Sequence, residues 1–311
     1  MWGYMFARTW FRAIQGMNTT TQSTPLRLDA DENAAHALRF IGRFTWLRAA
    51  ELGKLLHPGK QHGRKYAEAY LRKLLALRYV VARKLPGKDA GTAYVLATRG
   101  AQFLNDWNAG AVGFTYTAGT DWGTTSGGVW EPPRSWRHDL IATGVLACLR
   151  ERRDWGIYPE PMLRHWVPAA EKHPDGLVIA KQSGREVGMW LEVENARKSG
   201  RNIDQLARAL VRAGLGRPFS SFTEVTGGVP IVAGMVAIDP AARDERGRRL
   251  DHLLRVESAM RKIPMSAGAR VQLFVAYTTF KGIGVLSIRL ERRVFDWDTG
   301  RFLPIEPVTT A

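Results

Sequence analysis

The stretch from Pro174 to Lys198 constrains this chain more than any other part of its sequence. Two β-prone runs, which begin at Asp175 and Glu186, flank the turn-like segment Gln-Ser-Gly-Arg, and this pattern predicts a β-hairpin. If the turn centres on the Ser-Gly pair of that segment, Asp175 lies directly opposite Glu192. The sequence therefore predicts two carboxylates side by side at the end of the hairpin that lies away from the turn.

A third acid belongs to the same predicted cluster. Side chains of a strand alternate between its two faces, so Trp190, Glu192 and Glu194 share a face, which Asp175 joins from the opposite strand. Opposed like charges destabilise a bare sheet, and a divalent cation would reverse that cost. The sequence thus predicts a site for Mg²⁺ or Mn²⁺ formed by Asp175, Glu192 and Glu194.

The balance of charged residues indicates a polyanionic partner. The 311 residues carry a formal net charge of +16, which favours a nucleic acid, and the length suits about two domains. No apolar run is long enough for a transmembrane helix, so we expect no membrane partner. The single cysteine, Cys148, excludes an intramolecular disulfide and favours a cytoplasmic location.

The first third of the chain predicts a basic helical module. Residues 1–35 are predicted to form a flexible arm, and residues 36–108 contain three helical patterns followed by two short strands. Three helices and a hairpin in this order predict a winged helix–turn–helix. The segment 36–108 holds 14 Lys and Arg against 4 Asp and Glu, a net charge of +10.

The third helix, from Gly63 to Leu77, is the predicted recognition helix, and the loop between the two strands is the predicted wing. Polar residues at the start of the helix and off its apolar face would meet base edges and phosphates of double-stranded DNA, and the wing would contact the DNA backbone. The predicted DNA-binding residues are His62, Arg64, Lys65, Arg72, Arg83, Lys84 and Lys88.

The rest of the chain predicts a second domain. Residues 109–134 are rich in Gly, Thr and Ser and are predicted to form a linker, and residues 135–311 alternate helices with strands. The pattern predicts a helix from Trp136 to Arg152, a strand near Met162–Val167, the hairpin, and then further helices and strands. We therefore expect an α/β chain, α+β overall, with a winged helix followed by a mixed-sheet domain.

This order of elements, with Pro174-Asp175 and Glu192-Val193-Glu194, resembles the PD-(D/E)xK nuclease superfamily, which has the restriction-endonuclease-like fold. The resemblance covers residues 135–290 approximately and implies that Asp175 and Glu192 bind Mg²⁺. The family lysine stands two residues after the second acid, where this chain has Glu194. The resemblance then leaves the water-positioning role to Lys198 or Arg197, either of which would reach back from the strand end. In such a nuclease His138 would contact a phosphate or act as an acid.

A winged helix joined to such a domain, with His138-Asp139 on its first helix, is more narrowly similar to the plasmid replication–relaxation family and to MobC-type mobilisation proteins. This resemblance implies a Mg²⁺-dependent endonuclease that nicks or relaxes plasmid or integrative-element DNA at a transfer or replication origin. Because winged helices often bind paired half-sites as dimers, a homodimer is also compatible with the sequence.

Two other functions fit the same residues. A DNA-binding regulator or accessory mobilisation factor, with a nuclease-like domain that has lost catalysis, would explain the missing family lysine. An RNA-processing nuclease would use the same acids on another nucleic acid. Other chemistries lack their motifs, because the sequence has no two histidines spaced two residues apart, no GxxxxGK[ST] loop, no CxxC pair and no GxSxG turn.

Overall fold

A computed structural model of the chain describes residues 28–107, 114–151, 155–167, 172–182, 184–194, 200–216, 222, 226–244 and 246–307. The predicted N-terminal arm lies outside these residues up to position 27, and from Leu28 onwards the chain is helical. Contacts between residues divide the chain into two compact units: the first is Met1–Arg137, Arg150–Arg153 and Pro161–Ala169, and the second is His138–Leu149, Asp154–Glu160 and Ala170–Ala311. Among the described residues, no helix combines the length and the apolarity needed to cross a bilayer.

The first unit combines helices with a small antiparallel sheet. Its helices are α1 (Leu28–Phe44), α2 (Ala49–Leu56), α3 (Gly63–Ala76) and α4 (Thr98–Trp107), and its strands are β1 (Trp46–Leu47), β2 (Val80–Lys84) and β3 (Thr92–Leu96). The strands lie in the order β1-β3-β2, and Val80 pairs with Leu96. The predictions of the third helix and of the two strands after it are confirmed to within one residue at each end.

Two glycines allow the backbones of α2 and α3 to approach each other closely. A Cβ on Gly53 would lie 2.6 Å from the backbone nitrogen of Arg64, and a Cβ on Gly63 would lie 2.8 Å from the Gly53 carbonyl oxygen. The apolar face of α3, which includes Leu71 and Leu74, is buried. The polar residues of α3 are therefore left on its outer face.

Residues 114–131, which the sequence assigns to a linker, form a strap packed on the first unit. The strap contains a short hairpin of β4 (Thr124–Ser126) and β5 (Val129–Glu131). The Tyr116 N–H donates to Asn105 Oδ1 at 2.8 Å, and the Tyr116 carbonyl accepts from Asn105 Nδ2 at 2.9 Å. Trp122 stacks on the buried ring of Trp46, with centroids 4.8 Å apart. These contacts make the strap a structural part of the first unit.

Helices and strands follow the strap, and the strands form one large mixed sheet. They are α5 (Trp136–Arg150), β6 (Gly156–Pro159), α6 (Glu160–Trp166), β7 (Gly176–Gln182), β8 (Arg185–Glu194), α7 (Arg201–Gly214), β9 (Ile231–Ile238), α8 (His252–Met260), β10 (Arg270–Lys281), β11 (Gly284–Asp296) and β12 (Arg301–Pro307). The sheet has seven strands in the order β12-β11-β10-β9-β8-β7-β6. Strands β8, β9 and β10 run parallel and the other neighbours run antiparallel, so the carboxyl ends of those three strands meet at one edge.

Helices cover the sheet around its central strand. Every residue of β8 from Gly188 to Glu194 is buried. Helices α7 and α8 pack over β9 and β10 in one apolar cluster, which also contains Phe295. Helix α5 contacts the sheet at a glycine, because a Cβ on Gly176 would lie 2.9 Å from Leu146 Cδ1. The strand that carries two of the predicted acids therefore lies in the core of this unit.

The predicted strand near Met162–Val167 is wrong. These residues form α6, and the strand that pairs with β7 is β6, which lies just before them. Pro161 stands in the first turn of α6, where a proline needs no N–H partner and favours a helix start. The apolar pair Met162-Leu163 is buried by this short helix, and an apolar run of this length does not by itself distinguish a helix from a strand.

A substitution at Gly214, the last residue of α7, tests how tightly this helix packs on the sheet. A Cβ there would lie 2.2 Å from Val271 Cγ2 and 2.8 Å from the Gln272 carbonyl oxygen. Although alanine is the better helix former, we expect Gly214→Ala to lower the free energy of unfolding by roughly 1–3 kcal/mol, because β10 or α7 must shift. Urea unfolding measures this difference. Gly156→Ala, whose Cβ would lie 3.5 Å from its nearest neighbour, is the control, and equal losses in both variants would contradict this packing.

Candidate functional site

Strands β7 and β8 position Asp175. They pair in the predicted register, with Gly176 opposite Leu191, and the Asp175 N–H donates to the Leu191 carbonyl at 3.0 Å. Asp175 therefore lies opposite Glu192, as the sequence predicts. Its side chain continues the ladder beyond the end of β7, because Oδ2 accepts the Val193 N–H at 2.6 Å. Since a strand N–H points within the plane of its sheet, this carboxylate lies in that plane and not over the face that carries Glu192.

Glu192 is a buried carboxylate that accepts several N–H donors. Its side chain is 0% exposed, and Lys172 Nζ lies 2.7 Å from Oε1 and 2.8 Å from Oε2. The Trp190 indole N–H donates to Oε1 at 2.7 Å. The indole ring is buried against Phe222, with centroids 5.4 Å apart. Aromatic rings thus form one wall of the site, and the partly exposed Lys172 side chain connects it to solvent.

The surroundings of Glu192 raise the pKa of its carboxyl group towards neutral pH. Burial is the largest cause of a pKa of about 7, above the ordinary value of 4.5, and the charge of Asp175 acts in the same direction. Lys172 and Trp190 oppose this rise in pKa, because an ammonium group and N–H donors stabilise the ionised carboxylate. A carboxyl group that titrates near neutral pH beside a second acid is typical of a functional site.

His138 approaches Asp175 from the first turn of α5. Its Nε2 lies 3.0 Å from Asp175 Oδ1, and the two side chains are 27% and 11% exposed. The position of α5 is fixed close by, where Leu146 packs on Gly176. With Oδ1 on His138 and Oδ2 on the backbone of β8, the Asp175 carboxylate is held in one orientation.

Glu194 has contacts of a different kind. The Arg255 guanidinium lies 3.3 Å from Glu194 Oε1, and His252 Nδ1 lies 3.5 Å from the same atom. Both partners belong to α8, and both Glu194 and His252 are buried. In the structure the three predicted acids therefore form an Asp175–Glu192 pair and a separate Glu194 contact with α8.

A cation at the acid pair would have two carboxylates, those of Asp175 and Glu192, as its protein ligands. Among the described residues, no group of three or more His, Cys, Asp and Glu side chains has the arrangement of a metal site. Mg²⁺ is nevertheless often bound through one or two carboxylates, with water and substrate phosphate as its other ligands. The raised pKa of the buried Glu192 beside Asp175 fits such an ion, because a divalent cation would favour the ionised form of both acids. Asp175 and Glu192 are the residues that would hold it.

Lys172 is the site residue that the sequence analysis missed. Lys198, to which the sequence analysis assigns the lysine role, lies outside the described residues. Lys172 stands three residues before Asp175, in Lys-His-Pro-Asp, whereas the family pattern directs attention to residues after the second acid. Because β7 and β8 are antiparallel, the residues that precede β7 lie beside the end of β8. The register alone would therefore have pointed to a lysine upstream of Asp175.

The predicted DNA-binding residues lie in the first unit. Six of them are exposed on α3, at its start or near the wing: His62, Arg64, Lys65, Arg72, Lys84 and Lys88. Arg83 is half-buried against the strap, with Nη2 3.5 Å from the Thr120 carbonyl oxygen and its guanidinium carbon 5.8 Å from the Trp130 ring centroid. Tyr66, which is 48% exposed on α3, is a surface residue that the sequence analysis missed.

Comparisons of the chain with protein-family models, with curated proteins and with solved structures found no match. Contacts and burial single out two groups of residues. One group is the Asp175–Glu192 pair with Lys172 and His138 in the second unit. The other is the exposed basic surface of α3 and the wing in the first unit.

The pKa of Glu192 predicts a pH-dependent stability. Because the folded-state pKa, about 7, exceeds the ordinary value of 4.5, the folded protein binds this proton more tightly than the unfolded chain does. The stabilisation is fully present below pH 4.5 and is lost as the pH rises through 7. We expect Glu192→Gln, which cannot ionise, to gain up to about 3 kcal/mol in unfolding free energy relative to wild type between about pH 4 and pH 8. Urea unfolding at both pH values measures this gain.

Glu186→Gln is the matched control for this prediction. Glu186 lies on the same strand but is partly exposed, so its substitution should give no comparable pH-dependent gain. Equal gains in the two variants, or no gain in Glu192→Gln, would show that the Glu192 carboxyl is not held in a site that favours its protonated form.

Proposed function

We propose that the chain is a DNA-processing protein. In this proposal the first unit is a winged helix that binds double-stranded DNA, and the second is a restriction-endonuclease-like domain that nicks or cuts it with Mg²⁺ or Mn²⁺. The observation that carries the proposal is the buried Asp175–Glu192 pair with its raised Glu192 pKa. In its narrowest form the proposal makes the chain a plasmid replication–relaxation or MobC-type mobilisation protein, with origin DNA as its substrate.

The order of elements in the second unit supports the nuclease fold. Helix α5 precedes the antiparallel strands β6, β7 and β8, and α7 leads to β9, which pairs parallel to β8. Asp175 comes directly before β7 and Glu192 lies near the end of β8, in the order that the superfamily pattern requires. The carboxyl ends of β8 and β9 meet near Glu192, and such sheet edges are where α/β proteins commonly bind ligands.

Each residue of the site would have its own role in phosphodiester cleavage. Asp175 and Glu192 would hold the metal ion, which when bound supplies positive charge at the phosphate and acidifies a water molecule. Lys172, whose ammonium group lies beside Glu192 and is partly open to solvent, would hold the attacking water or a phosphate oxygen. His138 would keep the Asp175 carboxylate in its orientation through Oδ1.

The first unit supports DNA binding by its topology and by its charge. The order α1-β1-α2-α3-β2-β3, with β1 paired to β3, supports a winged helix. Helix α3 buries its apolar face and exposes Arg64, Lys65 and Arg72. Basic residues in such a position would neutralise phosphates and release the counterions that surround DNA.

A second candidate is a DNA-binding regulator or accessory mobilisation factor without catalysis. It is favoured by one observation, which is that the Lys172 ammonium group contacts both carboxylate oxygens of Glu192. If that ion pair is permanent, the lysine blocks the site, and the acid pair contributes to folding alone. An RNA-processing nuclease is a further alternative, and competition between duplex DNA and RNA distinguishes it.

Cleavage of supercoiled plasmid tests the proposal. We expect the wild-type protein to relax an origin-containing plasmid in the presence of Mg²⁺ or Mn²⁺, and Asp175→Ala/Glu192→Ala to leave it supercoiled because both metal ligands are lost. Lys172→Gln should slow the reaction by about 100-fold, the size of a lost proton-transfer or water-positioning contribution. Gel electrophoresis of the topological forms measures both effects.

The controls for this assay separate the candidate functions. Glu186→Ala, on the same strand as Glu192, should nick at the wild-type rate, and the acid variants should still retard DNA in a gel. Retardation without cleavage by the wild-type protein would favour the regulator. Preference for RNA over duplex DNA in competition would favour the RNA-processing nuclease.

The outer face of α3 gives a second prediction. Lys65 and Arg72 are exposed on this helix, so Lys65→Gln/Arg72→Gln should weaken duplex binding and lower the slope of log affinity against log salt by about two. Fluorescence anisotropy at several salt concentrations measures the slope. Lys181→Gln/Arg185→Gln, which removes two exposed charges at the β7–β8 turn, is the control. An unchanged slope in the α3 variant would exclude this face from the DNA interface.

A further inference from the structure

A hairpin rich in arginine, here called the arginine hairpin, lies between β9 and α8, and the structure describes its residues 242–244 and 246–250. At its ends, the Leu250 N–H donates to the Ala242 carbonyl at 2.8 Å. One residue further in, Arg243 and Arg249 form an antiparallel bridge. The arginine hairpin exposes four guanidinium groups, which belong to Arg243, Arg246, Arg248 and Arg249. Neither the winged helix nor the acid pair requires such a structure.

Asp244 organises the tip of the arginine hairpin. Its Oδ1 accepts the backbone N–H groups of Arg246 and Arg248, both at 2.9 Å, and its Oδ2 accepts from Arg248 Nε at 2.8 Å. These bonds lower the pKa of Asp244, with the backbone bond from Arg248 as the largest cause. Arg243 Nη1 also donates to the Gly247 carbonyl at 3.0 Å, so Arg243 and Arg248 brace the hairpin, whereas Arg246 and Arg249 are exposed.

The described acids of this connection are used by its own backbone or by Arg248. Asp239 Oδ1 accepts the Ala241 N–H at 2.8 Å, and Asp251 Oδ1 accepts the Leu254 N–H at 3.0 Å as the N-cap of α8. Asp244 accepts the N–H groups at the tip. In the described part of the chain, the Arg246 and Arg249 guanidinium groups have no ion-pair partner and are exposed. Residues 242–250 hold four Arg against Asp244 and Glu245, so the arginine hairpin carries a formal net charge of +2.

The elements on both sides of the arginine hairpin contact or pair with Glu194. Upstream, Ile238 ends β9 and pairs with Glu194 in the parallel register. Downstream, Arg255 and His252 of α8 contact Glu194 Oε1. Because Glu194 lies two residues from Glu192, the end of β9 at Ile238 lies roughly 7–12 Å from the acid pair, by strand rise and strand spacing. The arginine hairpin begins four residues further along the chain.

We propose that the arginine hairpin binds the phosphodiester backbone of the DNA whose scissile phosphate lies at the Asp175–Glu192 pair. The inference depends on the proposed function for the identity of this partner. Arginine recognises phosphate oxygens through paired N–H groups, and one turn of duplex spans about 34 Å. A single duplex at the acid pair is therefore long enough to reach the arginine hairpin, which starts four residues after β9. Glu194 then has a positioning role, because it fixes the element that holds the DNA.

Salt-dependent binding of the full chain to a labelled duplex, without divalent cations, tests this surface. We expect Arg246→Gln/Arg249→Gln to lower the salt slope by about two and to weaken binding, because two phosphate contacts are lost. Arg246→Glu/Arg249→Glu should weaken binding further through repulsion. Lys181→Gln/Arg185→Gln removes the same charge from the other end of β8 and should keep the wild-type slope. Equal thermal unfolding of all variants confirms that these exposed substitutions leave the fold intact.

Wild-type slope and affinity in both arginine variants would overturn the inference. A loss of RNA binding or of binding to anionic vesicles, with duplex binding unchanged, would also overturn it. Failure of the proposed nuclease has a different signature, because supercoiled plasmid would then stay intact with every metal while the arginine variants still lowered the salt slope. Conversely, plasmid cleavage with unaltered binding by the arginine variants would leave the nuclease standing and remove the arginine hairpin from it.

Discussion

The hydrogen bond from the Val193 N–H to the Asp175 carboxylate is the interaction on which the candidate site depends. Strand β7 begins at Gly176, so no backbone carbonyl of β7 is available to the Val193 N–H of β8. Without the bond to Asp175, this N–H would lose its partner inside a buried sheet, at a cost of about 1–3 kcal/mol. Asp175 provides that partner with a side chain instead of a backbone carbonyl. The same bond holds the negative charge of Asp175 beside Glu192. Asp175 therefore both stabilises this end of the hairpin and completes the acid pair.

The two glutamates of β8 show how neighbouring acids acquire different roles. Glu192 and Glu194 lie on the same face by alternation, and each is buried beside a cation, Lys172 for the first and Arg255 for the second. A buried carboxylate requires such a partner, because an uncompensated charge in the interior is strongly destabilising. Only Glu192 has a second acid beside it. The arrangement therefore places Glu192 in the acid pair, whereas Glu194 attaches α8 to the end of β8.

Most features that depend on residues close together in the sequence could be predicted from it. The register of the hairpin follows from its turn composition, and α3 follows from its apolar spacing, and both are confirmed. Lys172 was missed because its contact with Glu192 depends on pairing between strands and not on distance along the chain. The role of Glu194 could not be predicted, since Arg255 lies 61 residues away in the sequence. The strap has little periodicity, and its order comes from the stacking of Trp122 on Trp46, which no local pattern records.

The charges of the acid pair give a physical reason to prefer a metal site over a purely structural one. With Glu192 protonated, Asp175 and Lys172 balance each other, and with both acids ionised one negative charge is left over. A pKa of about 7 means that these two states have similar free energies near neutral pH. A structural ion pair needs only one acid for Lys172, so the second carboxylate raises the free energy of the ionised fold. A divalent cation would change the excess to one positive charge, which is the complement of a phosphodiester group.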